Sequence, residues 1–133
     1  EAVYIHKKDN YYYMFASIGS CCEGLESTYQ LVVGRSKSVL GPYLNKHGKG
    51  MMDSNYTLVI DSNKRFVGNG HCSKILQDSN NNDWMLLHGV DVNNPQGRVL
   101  LLNQIKWDAK GWPYIEGTSP ALNALRPKFN TSN

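Results

Sequence analysis

The stretches Glu1-Ala2-Val3-Tyr4-Ile5-His6 and Gly70-His71-Cys72-Ser73-Lys74-Ile75 decide the fold. They head two copies of one pattern. Tyr13-Met14-Phe15 in the first copy answers to Trp84-Met85-Leu86 in the second, and Pro42-Tyr43 to Pro113-Tyr114. The offset is about 70 residues, and self-similarity at a fixed period is the mark of propellers and solenoids. In a radial repeat, equivalent positions point into one shared centre. Glu1 and His71, a carboxylate heading one copy and an imidazole heading the other, are therefore expected to converge.

Working outward, short β-type runs dominate. Residues 2–6, 11–17, 29–36 and 56–60 read as four strands of the first copy, and 72–77, 83–88, 99–107 and 112–115 as four of the second. Turn chemistry separates them: Lys7-Lys8-Asp9-Asn10, Gly41-Pro42, the Asn-rich run 78–82 and Asp108-Ala109-Lys110-Gly111. The segment 19–27 is longer, carries Cys21 and Cys22, and has room for function. No segment sustains helical periodicity. Four antiparallel strands per unit describe propeller blades. Residues 1–66 are expected to form one blade, 67–118 the last blade, and 119–133 an irregular tail. Two blades do not close a ring, and each leaves an apolar face in need of a neighbour. The abrupt start on a strand reads as a cut inside a larger protein.

The composition excludes several classes. With 133 residues and a formal net charge of +3 on mixed-sign surface, the chain has no basic stripe that would argue for nucleic acid. No apolar run approaches membrane-spanning length. Three cysteines, two of them adjacent, do not make a simple disulfide framework. Nor do they have zinc-site spacing. The plain expectation is small buried thiols. A nucleophilic cysteine needs an activating histidine, and none stands beside Cys21-Cys22.

Taken together, Glu1-Ala2-x-Tyr4-Ile5, Lys7-Lys8-Asp9-x-Tyr11-Tyr12-Tyr13, Cys21-Cys22-x-Gly24-x-x-Ser27-Thr28-Tyr29 and Val33-Gly34-Arg35-Ser36-Lys37-Ser38-x-x-Gly41-Pro42-Tyr43 resemble glycoside hydrolase family 43. The likeness is to its arabinanases, which cut α-1,5-linked L-arabinan. Gly68-x-Gly70-His71-Cys72 and Trp107-Asp108-x-x-Gly111-Trp112-Pro113 extend it to about Ile115. The resemblance implies an all-β, five-bladed β-propeller, with this chain supplying the fourth and fifth blades and another segment or chain the remaining three.

It further implies inverting hydrolysis by three carboxylates, of which this chain holds one: Glu1, on the motif position of the general acid. Asp9, Asp61, Asp78, Asp83 and Asp108 fall in turns or at strand ends, poor places for a base in a channel. Inversion needs a protonated carboxyl on one side of the bond and an ionised one on the other, about 6.5–9.5 Å apart, so the isolated chain is expected to be inactive. By the same resemblance His71 stands beside a calcium ion in the central channel, through water, since calcium prefers oxygen ligands. Arg98 and the Cys21-Cys22 loop are candidates for contacting substrate. Arg35 reads as a tie between neighbouring strands, and His88 and the Tyr11-Tyr12-Tyr13 cluster as packing. The alternatives are an arabinofuranosidase or xylosidase on the same propeller, or a non-catalytic carbohydrate-binding propeller. The substrate class implies a secreted or periplasmic location.

Overall fold

Alternating side chains along each strand sort this chain into two sheets that share one core. The computed structural model describes residues 1–118 and 120–129. The first sheet runs β1 (Tyr4–Lys8), β2 (Tyr11–Ile18), β3 (Gln30–Ser36) and β4 (Thr57–Ile60). The second runs β5 (Phe66–Gln77), β6 (Asp83–Asp91), β7 (Arg98–Trp107) and β8 (Pro113–Tyr114). In each sheet the strands neighbour one another in chain order, every pairing antiparallel. Helical geometry is confined to three short 3₁₀ turns among the described residues.

Period-two burial shows which face turns inward. On β2, Tyr13, Phe15 and Ser17 are buried while the residues between them are only partly covered. Phe15, Leu31, Val33, Met85, Leu87 and Ile105 meet in the core between the sheets. Each fully buried side chain of this size stabilises by about 1.5–3 kcal/mol. The outward faces stay apolar and open: Val3, Ile5 and Leu58 on the first sheet, Leu100 and Leu102 on the second.

Polar links fix the sheets in register with each other. The Tyr13 hydroxyl donates to the Gly111 carbonyl at 2.6 Å, and Arg35 Nη1 to the Lys110 carbonyl at 2.6 Å. Arg35 thus ties one sheet to the next, with its guanidinium between the Tyr11 and Trp112 rings. Lys8 Nζ reaches Asp83 Oδ2 at 3.2 Å, and the same oxygen accepts from Trp107 Nε1 at 2.7 Å.

Several expectations need correcting. Lys7 and Lys8 belong to β1, and the turn is Asp9-Asn10 alone. β5 starts at Phe66, six residues before the expected strand. It carries register shifts between Val67 and Gly70 and between Gly70 and Lys74. The Gly-rich run ahead of the expected strand is thus a bulged part of β5, and a bulge re-aims a side chain. Residues 120–129 hold no strand or helix but are tied down: Asn63 Nδ2 donates to the Pro120 carbonyl at 2.9 Å, and Ser79 N to the Lys128 carbonyl at 2.7 Å. The rest of the expected tail, residues 119 and 130–133, lies outside the described residues.

The thiol expectation fails for two of three cysteines. Cys21 and Cys22 are joined to each other in a vicinal disulfide, and Cys22 is exposed. Adjacent cysteines close their own bridge, which a count of three did not suggest. Cys72 alone is a buried free thiol, pushed by burial up to about 12.

Candidate functional site

The backbone brings the two blade heads together. Glu1 N donates to the Ser17 carbonyl at 2.9 Å, and Ser17 N returns a bond to the Glu1 carbonyl at 2.8 Å. In the second sheet Gly70 faces His88 in the same way. Glu1 is therefore the counterpart of Gly70, and Ser17 of His88. One residue further on, Ala2 and His71 share a left-handed backbone, with φ of 53° and 56°. Few non-glycine residues adopt that conformation. Its cost, of order 1 kcal/mol or more each, is carried at the same place in both copies.

Two contacts lock the heads side by side. His71 N donates to Ser17 Oγ at 2.8 Å. Gly70 leaves room for Tyr29, since a Cβ there would sit 2.5 Å from Tyr29 Cδ1 and 3.0 Å from Ser17 Oγ. Tyr29, brought in by the end of the Cys loop, is 1 % exposed. Its ring stacks on His88 at 5.8 Å between centroids, and His88 meets His71 at 5.5 Å.

These groups line a cavity of about 270 Å³ whose wall holds Glu1, Cys21, Tyr29, His71, His88 and Arg98. Of the residues singled out from the sequence, Glu1, His71, Arg98 and Cys21 meet here. Cys22 lies outside the wall, linked to it through Cys21. His88 and Tyr29 are the residues that sequence reasoning missed. The repeat contained the signal for His88: the position opposite a blade head is Ser17 in one copy and His88 in the other.

The electrostatics are asymmetric. Arg98, the first residue of β7, places Nη1 3.4 Å from His88 Nε2. Burial lowers the His88 imidazole below its ordinary pKa, and Arg98 and then His71 lower it further. All three favour the neutral imidazole. A guanidinium only donates, so Nε2 can serve this contact only as an acceptor, which in a neutral ring assigns the proton to Nδ1. That nitrogen is buried with no hydrogen-bond partner among the described residues. Burial raises the Tyr29 phenol; Ser17 opposes this and Glu1 adds to it. Glu1 is the one carboxylate in the wall.

Several of the other acids are occupied by the fold. Burial works to raise the Asp78 carboxyl, but bonds from Asn82 N, Trp84 Nε1, Asn80 N and Asn82 Nδ2 outweigh it and hold its pKa at about 2. Asp108 caps its turn with bonds from Lys110 N and Trp112 N, both 2.8 Å.

No group of three or more His, Cys, Asp or Glu among the described residues could hold a metal ion. Two imidazoles beside a guanidinium do not suit a hard cation that takes six to eight oxygens. The described residues do not by themselves form a calcium site.

Comparison with known proteins covers nearly the same span. The family described as "Glycosyl hydrolases family 43" matches residues 1–113. An extracellular exo-α-(1→5)-L-arabinofuranosidase of Cellvibrio japonicus is 44% identical over 116 residues, which is 87% of this chain and 33% of that protein. An extracellular endo-α-(1→5)-L-arabinanase of Bacillus subtilis is 37% identical over 113 residues, 85% of this chain and 33% of that protein. Among solved structures, the Cellvibrio cellulosa α-L-arabinanase complexed with arabinohexaose superposes with a TM-score of 0.82 at 42% identity, covering 87% of this chain and 36% of that one. The chain therefore spans about a third of the length of the relatives it matches. The two sheets are two blades of a five-bladed β-propeller.

Proposed function

The chain belongs to glycosyl hydrolases family 43, and on that premise we propose that it supplies the general-acid part of an inverting hydrolase of α-1,5-linked L-arabinan. The observation that carries this reading is the single cavity where Glu1, His71, Arg98 and the Cys21 loop meet. In it Glu1 gives its proton to the glycosidic oxygen as the bond to the leaving sugar breaks. The carboxylate that activates water on the opposite face, about 6.5–9.5 Å away, comes from the blades beyond this chain, the first three of the ring. Glu1 is alone in the wall, so the two blades by themselves are inactive.

Arg98 presents a fixed donor to the sugar or to the partner carboxylate, beside the His88 ring. A neutral His88 accepts one hydrogen bond without adding charge beside the acid. Cys21 and, through the disulfide, Cys22 wall the groove. Closing that disulfide removes both thiols as nucleophiles, which leaves the carboxyl chemistry unchallenged. Calcium enters this proposal only as an ion held by oxygens from the other blades, with His71 touching it through water. When bound, it would add positive charge at the channel; no step here depends on it.

Relatives of both exo and endo names match, so an exo-acting arabinofuranosidase is the second reading. A xylosidase, or a carbohydrate-binding propeller without catalysis, has less support, the last because the acid is present. The named relatives are extracellular, which favours export, and among the described residues no helix is long and apolar enough to cross a membrane. The test is hydrolysis of linear arabinan by the full-length protein with and without Glu1→Gln. A loss of about a hundredfold or more is expected for removal of a general acid. Undiminished turnover would place the acid elsewhere.

A further inference from the structure

A larger cavity, of about 540 Å³, lies at the seam between the sheets, walled by Tyr11, Arg35, Lys37, Ser38 and Lys46 from the first and Trp112 from the second. It is not the one beside Glu1. Tyr11 opens β2 and Ser17, which holds Glu1, stands six residues on, about 20 Å along the strand. Both sheets contribute to the wall, so it is not one of the outward faces that neighbouring blades would cover.

Its chemistry is one-sided. The wall holds three cations and no Asp or Glu. Arg35 lies 4.2 Å from the Tyr11 ring centre and 4.3 Å from that of Trp112, and its Nη1 donates to the Lys110 carbonyl at 2.6 Å. This sandwich fixes the plane of the guanidinium. None of Arg35, Lys37 and Lys46 takes part in an ion pair among the described residues. An arginine has five donors in a rigid fork that matches a carboxylate, and those not spent on the Lys110 carbonyl and the Tyr13 hydroxyl remain to serve a ligand. An adjoining cavity of about 420 Å³ shares Lys46 and Trp112 and adds His47 and Lys110. Its one acid, Asp108, is engaged by backbone N–H groups. The positive lining therefore continues for more than one ligand unit.

We infer that this seam binds a carboxylate-bearing oligosaccharide, a chain of uronic acids. Its carboxylates lie on Arg35, Lys37 and Lys46, and its hydroxyls meet Ser38 and the aromatic edges. A cavity of about 300–1,000 Å³ is of ligand size, and repeated cations along a groove suit a polyanion with an acid on each ring. Such a site would dock the enzyme on an acidic polysaccharide while the distant cavity works on a neutral one.

The experiment is calorimetric titration of the full-length protein with tri-galacturonate at low ionic strength, beside neutral arabino-oligosaccharide and inorganic phosphate. Lys37 and Lys46 are exposed, so the Lys37→Glu, Lys46→Glu double variant keeps the fold, which its melting curve checks. The expected result is one site for tri-galacturonate, weakened about tenfold or more in the double variant, undisturbed by neutral sugar and unchanged in Glu1→Gln. Absence of binding, or equal affinity in the double variant, overturns the inference. Phosphate binding as tightly as tri-galacturonate also overturns it, leaving a site for free anions.

Discussion

Replacing Asp83 by alanine removes an acceptor that takes bonds from Trp107 and Gln77 within its own sheet and from Lys8, at the end of β1, in the other. Asp83 is 6 % exposed and takes bonds from Trp107 Nε1 at 2.7 Å, Lys8 Nζ at 3.2 Å and Gln77 Nε2 at 3.2 Å. The indole bond to a charged acceptor is worth about 1.5–3 kcal/mol, because the N–H is left unpaired on a partly buried ring. The Lys8 pair, with its lysine 28% exposed, adds up to about 1 kcal/mol. Asp83→Ala should therefore destabilise by about 2–4 kcal/mol. Asp83→Asn keeps an oxygen for the indole and loses only the charge, so it should cost about 1–2 kcal/mol. Denaturant titration of the full-length protein measures both as shifts in midpoint at constant slope. An alanine variant within about 0.5 kcal/mol of wild type, the range of ordinary surface changes, would refute this account of Asp83 as a shared acceptor. So would an asparagine variant as damaging as alanine.

Further outcomes follow from the same geometry. Gly70→Ala brings a Cβ to 2.5 Å from the buried Tyr29 ring and should destabilise by about 1–3 kcal/mol while disturbing arabinan hydrolysis; a neutral effect in melting curves would contradict the packing. Arg98→Ala removes a charge that lowers the His88 imidazole, so NMR titration should show the His88 pKa rise; an unmoved value would separate the two side chains. Burial holds His6 below 6.5, with Asp83 raising it and Lys8 lowering it. With the folded pKa depressed, the unfolded chain takes up the proton first, and stability falls as pH drops from about 6.5 through the folded pKa. His6→Gln should flatten that part of the stability–pH curve, and an unchanged slope would remove His6 as its source.

Much of this was legible because strands and turns are local. Asp108-Ala109-Lys110-Gly111 closes a hairpin with its own side chain, and no distant residue is needed to read it. The bulged start of β5 was not legible, since Gly68 and Gly70 look like loop chemistry until the partner strand is present. Gly70 is required by Tyr29, some forty residues earlier in sequence, and no window along the chain contains both. His88 was misread for a related reason. Its near neighbours Met85 and Leu87 are core, and only the register against Gly70 turns it to the cavity. The meeting of Glu1 with His71 was foreseeable because a repeat converts distance in sequence into equivalence in space. The Cys21–Cys22 bridge was hidden by counting cysteines in place of considering neighbours.

The two open faces differ in kind. Val3, Ile5 and Leu58 belong to one surface, and Leu100 and Leu102 to another on the far side of the shared core. Unlike faces join head to tail, and head-to-tail contacts either close into a ring or grow without limit. In the language of polymer chemistry, the pair of blades is a monomer with two different reactive ends. Three further blades act as the ring-closing reagent; without them, successive copies would add end to end until their own rotation closed a ring, or without a stopping length if it did not.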